Sequence, residues 1–201
     1  MAEHRLTDCI RTEIAKTVDV MNAMMADRAL LECVERVAAA CAASIDSGGK
    51  IMFCGNGGSA ADSQHLAAEL VGKLVFDRPG MPGLALTVNT SVLTAVGNDF
   101  GYEFVFSRQI ESLGRAGDVL VGISTSGRSR NVVAAMEAAR AHDLVTVAMT
   151  GPAQGPISHL ADHWIAVPHS ETQKIQEGHI VLGHILCALV EERLHGDAKW
   201  K

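Results

Sequence analysis

K-I-M-F-C-G-N-G-G-S-A-A-D-S-Q-H-L-A-A-E-L, from Lys50 to Leu70, carries three signals in succession. Ile51–Cys54 is an apolar run of β-forming residues. Glycines then crowd residues 55–58, and from Ala60 an amphipathic pattern runs on to Leu74. Strand, glycine-rich turn and helix therefore follow one another directly.

The alternation continues to the C-terminus. Apolar runs recur at Leu84–Val88, Val119–Ile123, Val145–Met149 and Trp164–Val167. Helical stretches separate them at Val92–Val96, Glu103–Leu113, Asn131–Arg140 and Ile157–Leu160, and a long last helix spans about Ile175 to Leu194. Strands this uniformly apolar, each followed by a helix, predict an α/β fold whose five-stranded parallel sheet is covered by helices on both faces. Ligands of such sheets bind beyond the carboxyl ends of the strands.

The first 46 residues read differently. Leu6, Ile10, Ile14, Val18, Met21 and Met25 recur every three or four positions, and Leu30, Leu31, Val34, Val37, Ala38, Cys41 and Ile45 repeat the pattern until Gly48-Gly49 ends it. Two readings fit: a helical hairpin covering its own core, or an arm that joins subunits. The second is preferred, because the alternating part is complete without these helices. The expected organisation is an N-terminal helical extension, 1–48, for oligomerisation and an α/β domain, 49–201, forming one structural unit.

The chain has 201 residues, of which 48% are hydrophobic and 4% aromatic, with a formal net charge of −6. That length suits one domain with its own core, and the hydrophobic fraction argues against a disordered chain. The acidic balance and scarce aromatics argue against a nucleic-acid partner. Five irregularly spaced cysteines without a C-x-x-C read as reduced thiols of a cytoplasmic protein. The start, with His4, Arg5 and Asp8, is no signal peptide. The longest apolar stretch, Ile180–Val190, is broken by His184 and too short for a bilayer, so no membrane association is expected.

Two loops follow strands with anion-binding chemistry. Gly55–Asp62 lets backbone N–H groups approach an anion at a helix start. It also matches a loose dinucleotide fingerprint, but the second strand ends Thr87-Val88-Asn89 without the required carboxylate. The bland alternative is a glycine turn. Ser124-Thr125-Ser126-Gly127-Arg128-Ser129 supplies hydroxyls at another helix start. Its bland alternative is N-capping by Ser126 or Ser129, which needs one hydroxyl rather than four. Two such loops on one sheet point to a phosphorylated ligand. Gly97-Asn98-Asp99-Phe100-Gly101 reads as a turn whose Asn and Asp can equally bind sugar hydroxyls.

His65 and Glu69, at i and i+4 on the helix launched by the first loop, share a face and can reach one metal ion, although such a pair is more often a solvated helix face. Gln176 and His184 lie on the last helix, about 12 Å apart along its axis. For both to meet one ion, Gln176 must sit at a frayed helix start or come from another subunit. Two imidazoles, a carboxylate and an amide oxygen would suit zinc or a similar divalent ion. The remaining histidines, including His4, show no such pattern; His179 stays open because it is three residues from Gln176.

C-G-N-G-G-S-A-A-D-S-Q-H-L-A-A-E-L (Cys54–Leu70), F-D-R-P-G (Phe76–Gly80), G-N-D-F-G-Y-E (Gly97–Glu103), S-T-S-G-R-S-R-N (Ser124–Asn131) and K-I-Q-E-G-H-I-V-L-G-H (Lys174–His184) together resemble the phosphoheptose isomerase family of the sugar-isomerase (SIS) domain group. The resemblance runs over nearly the whole chain. It implies a three-layer α/β sandwich of the SIS fold, assembled as a homotetramer with active sites at subunit interfaces. It implies conversion of sedoheptulose 7-phosphate to D-glycero-manno-heptose 7-phosphate in bacterial heptose biosynthesis, with one zinc per subunit. Carried over by motif, the zinc ligands fall on His65, Glu69, Gln176 and His184. The substrate contacts fall on Asn56, Gly57, Gly58, Ser59, Asn98, Asp99, Ser124, Thr125, Ser126 and Ser129, with Glu69 and Gln176 touching metal and sugar both. Residues 169–173 depart from the pattern and receive no role.

A ketose–aldose exchange moves a proton between C1 and C2 through an enediol and needs a base, an acid and a polarised carbonyl. Glu69 is the expected base and His184 the acid. A carboxylate bound to zinc makes a poorer base, so either Glu69 shifts coordination as substrate arrives or the metal mainly organises the site. Three alternatives share the scaffold: a tetrameric SIS adaptor binding the replication initiator, a phosphosugar-sensing regulator module, and an isomerase of another phosphosugar. An adaptor has no need of His65, Glu69, Gln176 and His184 together, and a regulator needs a DNA-binding domain for which the chain has no basic segment.

Overall fold

Five apolar runs become strands: β1 (Ile51–Gly55), β2 (Gly83–Ala85), β3 (Val119–Ser124), β4 (Val145–Thr150) and β5 (His163–Ala166). In the computed structural model, which describes residues 2–75 and 77–196 and side chains from Arg5 onward, they form one sheet in the order β2-β1-β3-β4-β5. Every pairing is parallel, with Ile51 opposite Val119 and Val119 opposite Val145. Phe76 of the F-D-R-P-G motif and the side chain of His4 lie outside the described residues.

Among the described residues, eight α-helices surround the sheet: α1 (Ala2–Ala26), α2 (Arg28–Asp46), α3 (Gly58–Val71), α4 (Thr90–Asp99), α5 (Ser107–Leu113), α6 (Arg130–Ala141), α7 (Pro156–His159) and α8 (Thr172–His195). Side chains alternate across a strand, so the sheet feeds two cores. Ile51, Phe53, Val119, Val121, Val147 and Met149 pack with Val37 and Cys41 of α2, Leu66 and Leu70 of α3, and Leu182 and Leu186 of α8. Met52, Cys54, Leu120 and Ala148 pack with Ile110 of α5 and Val132 and Met136 of α6. The result is the expected three-layer α/β sandwich.

α2 lies inside the first of these layers, against β5 and α8, and the core crosses residue 48 without interruption. α1 differs. Val20 and Met24 near its C-terminus are buried, whereas Leu6, Ile10, Ile14 and Val18 are each more than half exposed along one face.

Several boundaries differ from the sequence reading; the helix expected from Glu103 starts at Ser107, after a 3-10 turn over Tyr102–Phe104. β2 ends at Ala85 rather than Val88; Leu86 N–H still donates to Phe53 O, but its own carbonyl is taken by the Gln109 amide. α3 stops at Val71 rather than Leu74, because the Glu191 carboxylate captures the N–H groups of Leu74 and Val75. α4 begins at Thr90, capped by the Asn89 side chain on Val92 N–H, and runs through Asp99. The turn expected at 97–101 therefore starts only at Phe100. α8 begins at Thr172, three residues early.

Candidate active site

β1 and β3 are neighbours, yet the helices that follow them leave to opposite faces of the sheet. A crevice opens where such connections diverge. It is a cavity of about 290 Å³ lined by Asn56, Gly57, Gly58, Ser59, Ser124, Thr125 and Ser129, with Ile123 at its floor and Thr172 and Gln176 of α8 across it. Both phosphate-type loops thus face one space. Each turns on a glycine in the left-handed region, Gly57 at φ +57° and Gly127 at +65°, where a side chain would be strained.

The serine loop does not spend its hydroxyls on capping. Ser129 occupies the N-cap of α6, but its side chain makes no cap hydrogen bond. Its Oγ instead lies 2.9 Å from Ser124 Oγ, and Ser126 Oγ sits 3.4 Å from Ser124 Oγ while accepting from Arg128 N–H. The hydroxyls form a cluster at the end of β3.

The Asn56 side chain is committed elsewhere. Its amide exchanges two 2.8 Å hydrogen bonds with Asn131, and Tyr102 OH donates to its Oδ1. Asn56 therefore walls the crevice and offers it backbone rather than amide. A second cavity of about 580 Å³, lined by Phe100–Glu103 and Arg130, shares Asn56 and Ser129 with it.

α3 and α8 leave this crevice side by side and parallel. Gly58 at the start of α3 abuts the Gln176 amide, which a Cβ at that glycine would strike at 2.5 Å. Further along, His65 Nε2 lies 2.7 Å from His184 Nε2. Glu69 Oε1 lies 3.2 Å from His65 Nε2, and ligand atoms of the three side chains fall within 4.8 Å of one another. Atoms around tetrahedral zinc sit about 3.3 Å apart when the bonds are about 2.0–2.1 Å. Two imidazole nitrogens and a carboxylate oxygen this close can meet one divalent ion after side-chain shifts of at most about 1.5 Å.

Gln176 does not join the three within one chain. α8 is helical from Thr172, so Gln176 is not at a frayed start and stays about 12 Å down the axis from His184. Asn98 and Asp99 lie in the last turn of α4, exposed and bonded to each other at 2.7 Å, outside the lining of the crevice.

Charge and burial distinguish the remaining groups. Asp62, one turn before His65, has its carboxyl raised by burial, an effect opposed by His65 and His184; its Oδ2 has no hydrogen-bond partner among the described residues. The Cys54 thiol beside the glycine loop is pushed up to about 12 by burial, which leaves it protonated and unreactive. His179, kept open above, is buried with Nε2 against Thr150 O and is pushed down to about 4: it is a neutral anchor of α8. Sequence reasoning missed Thr172, which lies in the stretch assigned no role. Its only signal was its place at the helix start preceding Gln176.

Comparison with known proteins gives consistent findings. The profile of the SIS domain matches residues 14–151. A phosphoheptose isomerase of Burkholderia pseudomallei is 53% identical over 194 residues, 96% of this chain and 98% of that one. One from Akkermansia muciniphila is 54% identical over 191 residues, 95% and all of the two chains. The structure of the phosphoheptose isomerase of Neisseria gonorrhoeae superposes with a TM-score of 0.87 at 42% identity, covering 93% of this chain and 99% of that one.

Proposed function

The chain belongs to the phosphoheptose isomerase family of SIS-domain proteins, and on that premise we propose that it interconverts sedoheptulose 7-phosphate and D-glycero-manno-heptose 7-phosphate in bacterial nucleotide-activated heptose biosynthesis. One observation carries the reading: an anion crevice and a two-imidazole, one-carboxylate cluster stand at successive levels of one helix pair. Along α3, Ser59 and His65 are about 9 Å apart; along α8, Gln176 and His184 are about 12 Å apart. An extended seven-carbon chain ending in phosphate spans about 10 Å, since each bond is about 1.5 Å long. Phosphate in the crevice therefore brings the far end of the sugar to the cluster.

The phosphate sits between Gly57–Ser59 and the hydroxyls of Ser124, Thr125, Ser126 and Ser129, and that grip fixes C1 and C2. Glu69 takes the proton from C1 of the open-chain ketose and returns it to C2. His184 gives a proton to the C2 oxygen and receives the one leaving the C1 hydroxyl. The carbonyl moves from C2 to C1, and no hydrogen is gained or lost.

His65, Glu69 and His184 would hold one zinc per subunit. A divalent ion there supplies polarisation of the carbonyl. Gln176 would complete the set from another subunit, which an interface site in a homotetramer provides. The exposed apolar face of α1 supports an arm that joins subunits. Asn98 and Asp99 would contact the sugar. No described helix is long and apolar enough to cross a membrane, and a phosphosugar isomerase of central metabolism works in the cytoplasm.

The test incubates purified protein with sedoheptulose 7-phosphate, before and after chelator treatment, and follows both sugars by NMR. An aldose product that disappears with chelation and returns with zinc is expected. No aldose under any metal condition would overturn the reading and favour the adaptor.

A further inference from the structure

The F-D-R-P-G segment has no part in the function as described, yet Arg78 is one of the most buried charges in the chain. Its side chain is 2% exposed, and it pairs at 2.9 Å with the carboxylate of Glu191, whose side chain is fully buried. The remaining guanidinium donors close the end of α3. Nη1 donates to Leu70 O at 2.7 Å, to Gly72 O and to Pro79 O, and Nη2 donates to Glu69 O at 2.9 Å. Glu69 O and Leu70 O are among the carbonyls that the C-terminus of α3 leaves without intrahelical partners. Glu191 in turn accepts from the N–H groups of Leu74 and Val75, just past that helix.

Glu191 lies on α8 seven residues beyond His184, two turns along the same helix. The ion pair therefore ties the end of α3, through the Glu69 carbonyl itself, to α8, which carries the other imidazole. Contacts along the two helices keep one register: Gly58 with Gln176, His65 with His184, Leu74 and Val75 with Glu191. The last of these is the only charged one.

We propose that Arg78 and Glu191 are positioning residues, which lock α3 against α8 so that His65, Glu69 and His184 converge on one divalent ion. This rests on the reading of those three residues as metal ligands. A planar guanidinium bonding four carbonyls and a carboxylate fixes both distance and rotation of a helix end; a lysine keeps the charge but not the fork. Partners behind a ligand set typically change metal affinity by about 10–100-fold when altered.

The experiment titrates cobalt(II) into metal-free full-length protein and reads its visible absorption, alongside kcat and KM for sedoheptulose 7-phosphate. Arg78→Lys and Glu191→Gln are compared with wild type and with Asp118→Asn. The last variant weakens another ion pair with a buried carboxylate, Lys50–Asp118, whose Asp118 bonds to Lys50 and Arg115 rather than to α3 or α8, and serves as a control for lost stability alone. Cobalt affinity about tenfold weaker or more in a folded Arg78→Lys or Glu191→Gln protein, with kcat reduced, KM little changed and Asp118→Asn unaffected, is the expected result. Wild-type affinity in both variants, or equal weakening in Asp118→Asn, would overturn this proposal alone. Wild-type protein that binds no cobalt would overturn the metal reading, and this inference with it.

Discussion

The Nε2 atoms of His65 and His184 lie 2.7 Å apart across 119 residues of chain. Their meeting depends on how closely α3 approaches α8, and Gly183, next to His184, makes that approach. A Cβ there would stand 2.7 Å from Leu66, which is fully buried beneath it.

Gly183→Ala should therefore force the two helices apart. Overpacking of this kind costs about 1–3 kcal/mol. The loss of activity should exceed the loss of stability, because the imidazoles separate while the fold survives. Thermal melts and kcat measured on the same preparation check this; wild-type kcat in a folded Gly183→Ala protein would refute the geometric dependence.

Ser124 and Ser129 share a 2.9 Å contact at the mouth of the crevice, and neither hydroxyl is needed to cap α6. A hydrogen bond to a charged group contributes about 1.5–3 kcal/mol. Ser124→Ala or Ser129→Ala should raise KM for the phosphosugar about 10–100-fold, and should weaken competitive inhibition by inorganic phosphate in step. Steady-state kinetics with phosphate as inhibitor reads both.

Leu6, Ile10, Ile14 and Val18 present an apolar stripe on α1 that no described residue covers, whereas α2 is built into the sandwich. Glutamates at positions 10 and 14 should break assembly and leave the α2–α8 core folded. Sedimentation analysis should report a particle smaller than the wild-type assembly; an unchanged mass would remove α1 from the interface.

His179 gives the stability a pH dependence with a definite sign. Its folded value is pushed down to about 4 by burial, from an ordinary value of 6.5. The unfolded chain therefore binds the extra proton first. The stability tied to neutral His179 is complete above pH 6.5 and is lost as pH falls towards 4, by about 3 kcal/mol in all. His179→Gln should flatten the fall in melting temperature over that window. A variant with the wild-type slope would show that His179 is not its source.

The strands and the glycine loop were legible because uninterrupted apolar runs and a positive-φ turn are local properties. His65 and Glu69 were legible as a pair for the same reason, being one turn apart. The match of His184 to His65 was not. It follows from a parallel helix contact through Gly183 and Leu66 that no local pattern encodes, and only the motif resemblance pointed to it. Arg78–Glu191 was hidden likewise, since two charges in a chain that is 20% charged look like surface until both prove buried. α2 read as part of an arm because amphipathicity does not say what a face packs against. Asn56 read as a ligand contact, whereas its amide is spent on Asn131.

In the proposed reaction Glu69 moves the substrate proton. Sedoheptulose 7-phosphate incubated in deuterium oxide with wild-type protein should give aldose carrying deuterium at C2, seen by NMR. Glu69→Gln, of unchanged mass and helix content, should give neither aldose nor exchange at C1 of the ketose. Aldose formed by that variant at near wild-type rate would contradict the account.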